Sequence, residues 1–318
     1  MNSIATIKKL KPILYLLFNL FCLLSCKQRT VVKHDSKKEL ISFKLVFGIS
    51  YTEVARRLDN GLSFTEYGYQ LEPEWQIKFV SNDSASIYSP TKKEYINFPL
   101  TRGYYSIFNT ARTWFKVKKM TRDSLLLQLI EADADSIDTR GSKVFMTFYA
   151  DNFIKNVLHK NVAAVKAPSK RDTMFIKMLT DSAEKDFHKA FAARQPATIE
   201  SKSSMVKVKA RHTEGDILNN FDTSDDYILP TFYITIDRAA ANFYCSFSIV
   251  VDSHGDLHFN KPLVPFSNKG YEEEYIAVSK AILDRYLKFD LKVSPGSTLG
   301  ITHASSISLH VEGRKTHF

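Results

Sequence analysis

Asp252, His254, Asp256 and His258 form the densest set of side chains in the sequence that could do chemistry. Imidazole and carboxylate together suit zinc, copper or nickel. Residues two apart on a strand share a face, so Asp256 and His258 can point the same way. The stretch Asp252-Ser-His-Gly-Asp256 also has the composition of a hairpin turn, with Gly255 free to take positive φ and an aspartate free to bond its own backbone. Both readings stand at this level. No cysteine joins the four and the other histidines are scattered, so no metal or other cofactor is assigned. Glu72 and Glu74 flank Pro73 in a loop; such a carboxylate pair serves a glycosidase only at the right separation, and surface solvation explains it equally. No G-x-S-x-G or H-E-x-x-H spacing occurs, and no glycine-rich phosphate loop. Cys245 sits in an apolar run and reads as a buried, inert thiol.

A second chemical signal lies at the N-terminus. Lys8, Lys9 and Lys11 precede an almost wholly apolar run over residues 13–24, too short to span a bilayer comfortably, and small Ser25 precedes Cys26. Leu23-Leu24-Ser25-Cys26 resembles a lipobox, the recognition sequence of bacterial lipoprotein signal peptidases. That resemblance implies removal of the signal before Cys26, a diacylglycerol on the Cys26 sulfur and an acylated new amine, a firm lipid anchor. Lys27, where the inner-membrane retention signal has Asp, implies the outer membrane with the body facing the periplasm.

Composition sets further limits. Removing residues 1–26 takes away three lysines and no acid, lowering the net charge from +10 to +7. Cys22 leaves with the signal and Cys26 is consumed, so Cys245 has no partner for an internal disulfide. Stability must come from apolar cores, which 23 Phe and 15 Tyr can fill. The positive excess concentrates between Lys166 and Arg211, where it reads as a solvated face or as a contact for anionic lipid or an acidic partner. Export takes the chain away from nucleic acid.

These anchors are carried by a chain expected to be α+β. Residues 27–39 read as a polar tether. Residues 40–160 read as an antiparallel β meander, curling into a small barrel or half-barrel: alternating runs meet at Ser81-Asn-Asp-Ser84 and Thr121-Arg-Asp-Ser124. With its early Trp75 this part resembles the lipocalin-like domains of exported lipoproteins. Residues 161–204 read as a basic linker with an amphipathic helix over 172–194, capped by Asp172, striped by Phe175, Leu179, Ala183, Phe187 and Phe191, and stopped by Pro196. The stripe suits packing on a neighbouring domain, or a membrane surface. Residues 205–318 read as a small α+β domain: strands, a hairpin about Asp252–Asp256, a helix over 272–288, and a last strand over 306–311. The run Ile249-Val-Val-Asp252 with Gly255, then Phe289 and Pro295-Gly296, resembles the C-terminal domain of TonB-type energy transducers. The chain has neither the membrane-spanning helix nor the Pro-rich spacer on which TonB function depends.

Asp followed by Ser or Thr and a small or aliphatic residue recurs along the chain, among other places at Asp83, Asp123, Asp135, Asp172 and Asp181, with Ser84, Ser124, Ser136, Thr173 and Ser182 as acceptors. The pattern resembles an O-glycosylation signal of some bacteria; turn and helix-cap chemistry favours the same dipeptides. Together these features lead us to expect a lipid-anchored, non-enzymatic binding or envelope-assembly protein with an envelope protein or peptide partner. The alternatives are a hydrolase of envelope polymers and a structural accessory of an outer-membrane complex.

Overall fold

The computed structural model describes residues 40–104, 106–133, 136–137, 142–214 and 223–315. The expected signal, the tether and Cys26 lie outside them. The described chain is α+β.

A closed barrel comes first, built from β1 (Ser50–Leu58), β2 (Gln76–Phe79), β3 (Ser84–Ser89), β4 (Glu94–Arg102), β5 (Ile107–Thr110), β6 (Thr113–Met120), β7 (Ser124–Ile130) and β10 (Val144–Ala150). Each strand pairs with its neighbour in sequence, apart from the two-residue pair β8 (Ala132–Asp133) and β9 (Ser136–Ile137), and β1 closes the ring by pairing with both β2 and β10. Antiparallel hairpins alternate apolar and polar positions, and closing them removes the sheet edges. The inward set is heavily aromatic. Phe43 stacks on Phe79 with ring centroids 4.2 Å apart, and Phe108 stacks on Phe115 at 5.1 Å. Tyr51, Ile77, Leu125, Leu127, Met146 and Phe148 fill the space around them, so the interior is a packed core rather than a cup. Phe43 and Val46, just before β1, plug the end at which the chain comes in.

The second half is a five-stranded sheet, ordered β12 (Val206–Ala210), β13 (Thr231–Asp237), β19 (Ser305–Arg314), β14 (Phe243–Val251), β15 (Leu257–Pro262). Only β13 and β19 run parallel. One face, with Ile234, Ile236, Phe247, Ile249, Leu309 and Val311, packs under the helix Lys269–Ile282 and its wider π-helical continuation through Leu283 and Leu287. The hairpin, the helix and the long final strand thus come in the expected order, with two-residue strands β17 (Ser297–Thr298) and β18 (Ile301–Thr302) before the last.

The helix of the expected linker spans Lys170–Lys185 and is packed on two sides: Ile176 and Ala183 join Phe64 of the loop between β1 and β2, Phe191 and Val250 of β14 in one buried cluster. Ser169, not Asp172, is its cap. Asp172 is the third helical residue and reaches back to the Ser169 N–H, closing a capping box. Its other oxygen accepts from the Ser63 N–H at 2.8 Å, which ties the helix to the barrel. The helix ends nine residues before Arg194, because the chain turns extended at Asp186 to pair elsewhere. Gln195 exchanges backbone hydrogen bonds with Ser297, and β11 (Thr198–Ser201) pairs with β16 (Leu291–Ser294). Strand pairing overrides helix propensity here.

Candidate functional site

Up-and-down topology gives the barrel two unlike ends. Its root holds the incoming chain and the β2–β3, β4–β5 and β6–β7 turns. Its mouth collects the ends of β1 and β7 and the starts of β2, β6 and β10. A cleft of about 200 Å³ opens at the mouth. Arg56, Trp75, Thr113, Leu129 and Met146 come to it from the barrel, Tyr69, Gln70, Glu72 and Glu74 from the loop before β2, and Arg194 and Tyr227 from the later chain.

The anchor beneath this cleft is Glu53, fully buried on β1. The pairing of β1 with β10 slips between Glu53 and Ala55, a bulge that carries Arg56 to the same side as Glu53, where a regular strand would oppose them. Arg56 then forks onto the carboxylate, Nε to Oε1 and Nη2 to Oε2, each at 2.8 Å. The N–H groups of Glu74 and Trp75 donate to the same Oε2 at 2.9 and 3.0 Å. A buried carboxylate needs this many donors to stay folded in. Glu53 thereby fixes where the loop carrying Glu72 and Glu74 meets the barrel. Lys166 braces that loop from behind by donating to the Pro73 carbonyl, and burial pulls its ammonium below the ordinary lysine range.

Arg194 closes the opposite wall. It forks onto Glu72 at 2.7 and 2.8 Å, and its guanidinium lies 4.8 Å from the centre of the Tyr227 ring. The Tyr227 hydroxyl accepts from the Gln70 N–H at 3.1 Å, and burial pushes that phenol up to about 12. The Arg194 backbone is held in turn by a hydrogen-bonded chain. Its N–H donates to Thr298 Oγ1 at 3.0 Å, Thr298 Oγ1 lies 2.9 Å from His303 Nε2, and His303 Nδ1 is 3.0 Å from the Ala304 carbonyl. A carbonyl only accepts, so Nδ1 carries the proton and Nε2 accepts from Thr298.

His303 is fully buried and stacks on Phe191 at 3.7 Å; burial pushes its pKa down to about 4. In the unfolded chain it titrates at about 6.5. Above that pH it adds no pH dependence. As the pH falls, the unfolded imidazole takes up a proton that the folded one refuses, and stability drops until about pH 4, by roughly 3 kcal/mol at most. His303→Gln is therefore expected to flatten the fall in unfolding free energy between about pH 6.5 and 4. An unchanged slope in urea titrations would rule this out.

The structure separates the sequence-derived sites. Asp252 and His258 come together, Oδ2 to Nε2 at 2.8 Å, with the His258 ring 4.3 Å from Phe187. Asp252 Oδ1 accepts from the N–H groups of His254 and Asp256, each at 2.9 Å, which is turn chemistry. Burial opposes charge on Asp252, but these hydrogen bonds outweigh it and hold the carboxyl below its ordinary value. His254 points away to Ser253, 3.4 Å off. Among the described residues no three His, Cys, Asp or Glu side chains converge as a metal set. Cys245 is buried and free, with its thiol pushed up by burial.

Of the five hydroxyls in the Asp-Ser/Thr pattern, Ser84 and Ser124 open strands after tight turns, and Thr173 and Ser182 lie on the helix Lys170–Lys185. All four are half-buried. Ser136 lies in β9. Ser124 Oγ is 3.1 Å from Thr121 Oγ1, and Thr173 Oγ1 donates to the Ser169 carbonyl at 3.3 Å. Another serine, Ser246, lies 2.8 Å from His310 Nδ1, but it is packed within β14 and shares that nitrogen with the Tyr244 hydroxyl.

Glu72 and Glu74 are thus the sequence candidates that reach the cleft. Glu53, Arg56, Arg194 and Tyr227 were missed. A lone acid within the apolar stretch of β1 was a usable signal for Glu53; nothing local marks Arg194, 122 residues from its partner. No protein-family model matches the chain, and no curated protein matches it.

Proposed function

We propose that this protein is an exported lipoprotein, acylated on Cys26 and held at the outer membrane facing the periplasm, which binds a polar unit of an envelope polymer in the cleft at its barrel mouth. The observation that carries the reading is the contrast between a barrel filled by its own phenylalanines and a mouth that opens a polar, aromatic-edged cleft. Arg56 and Arg194 each use Nε and Nη2 on a glutamate, which fixes the guanidinium planes and leaves the Nη1 donors for another acceptor. Fixed donors beside Tyr69, Trp75 and Tyr227 suit a hydroxyl-bearing ring, which stacks by one face and bonds by its edge, the chemistry of a sugar unit. Glu53 and Glu72 each have both oxygens occupied by arginine, an arrangement for holding rather than for proton transfer.

A photo-crosslinking amino acid at Gln70, on the cleft lining, is expected to trap envelope material in the native membrane, whereas the same group at exposed Lys92 traps none. Equal adducts from both positions would contradict the reading. Shortened polymer in place of adducts would favour a hydrolase.

A further inference from the structure

The barrel root carries apolar surface that the cleft does not explain. Leu40, Leu45, Phe47 and Val80 are all exposed there, Leu45 and Val80 by half, and Tyr104 in the β4–β5 loop likewise. They lie on adjoining segments. Phe47 bridges to Phe79, next to Val80, and Arg102, two residues before Tyr104, donates to the Ile41 carbonyl at 3.1 Å. Apolar residues exposed singly are ordinary, but five on neighbouring segments at one end are not.

The polar turn residues at this end are engaged locally. Asn82 Oδ1 accepts from the Phe43 N–H at 2.9 Å, and Asp83 pairs with Arg102 at 3.6 Å. Exposed Lys44, Lys119 and Arg122 stand around the same end, with Asp123 and Asp151 as acids. Residues 27–39 are all that separates Leu40 from Cys26. Thirteen residues reach at most roughly 45 Å, so acyl groups on Cys26 keep the root close to the bilayer.

We infer that the root of the barrel is a membrane-docking face. Leu40, Leu45, Phe47, Val80 and Tyr104 enter the interface of an anionic leaflet, and Lys44, Lys119 and Arg122 meet its headgroups. This rests on acylation of Cys26, which brings the root to the bilayer. An anchor at a single residue sets no orientation of the body; a docked root does, with the cleft at the far end of the barrel pointing away from the membrane.

The test uses the full-length acylated protein on vesicles of phosphatidylethanolamine and phosphatidylglycerol. A nitroxide is placed at Leu45→Cys or, on the β3–β4 turn at the other end, at Lys92→Cys; Cys245 is buried and stays unlabelled. The expected result is that the Leu45 label gains oxygen accessibility and loses accessibility to a water-soluble nickel complex on vesicles, while the Lys92 label keeps its solution values. Vesicles of phosphatidylcholine alone should give a smaller shift at Leu45. A Leu45 label that stays in water on vesicles overturns the proposal. So does one already shielded without vesicles, because residues 27–39 or a second copy would then cover the patch. Intact mass separates the two failures: a chain without acyl groups on Cys26 sinks the anchor and the docking together, whereas an acylated chain with a wet Leu45 sinks the docking alone.

Discussion

Replacing Glu53 by alanine is expected to lower the unfolding free energy by about 3–5 kcal/mol, the usual cost of removing one partner from a buried ion pair. The loss has three named sources. Arg56, mostly buried, is left without its counter-charge, and the N–H groups of Glu74 and Trp75 lose their acceptor. The loop that lines the cleft then loses its attachment to β1. Urea denaturation followed by circular dichroism measures the effect. Glu312→Ala, which breaks a solvent-exposed pair with Arg314 on β19, is the control and should leave stability essentially unchanged. Equal midpoints for the two variants would mean that Glu53 is not the anchor of the cleft.

The second large effect concerns the proposed lipid anchor at Cys26. With Cys26→Ser, incorporation of labelled palmitate is expected to fall to background, because a hydroxyl does not form the thioether. The signal should then stay on the chain, since cleavage of this kind comes after lipidation. Intact mass would show the N-terminal residues 1–25 retained. Normal cleavage with no change in label would mean an ordinary secretion signal and an incidental cysteine.

Local chemistry made some elements readable in advance. The hairpins at Ser81–Ser84 and Thr121–Ser124 arise from period-two alternation around turn residues, and the Asp252 turn arises from Gly255 and two aspartates. The choice between a closed barrel and a half-barrel stayed open in the sequence, because β1 meets β10 about ninety residues away and neither strand advertises its partner. The parallel pairing of β13 with β19 is hidden for the same reason. The helix at Lys170–Lys185 was legible as a stripe, but its end was not, since β-type pairing of residues 195–201 competes with continued helix. In the cleft, Glu72 and Glu74 were visible as paired loop acids. What organises them was not: a β-bulge re-aims Arg56, and an arginine from the far side of the linker helix completes the wall. Both depend on contacts distant in sequence, and pattern reading reports only neighbours.

The binding claim itself is tested most directly by saturation-transfer NMR. Sugar fragments released from the host envelope by muramidase are presented to the acylated full-length protein in detergent micelles, alongside Thr113→Trp, which adds bulk to the cleft lining. The account predicts transfer to sugar ring protons with the native protein and its loss in Thr113→Trp, with circular dichroism unchanged. Transfer that persists undiminished in Thr113→Trp, or is absent from the native protein, would contradict it.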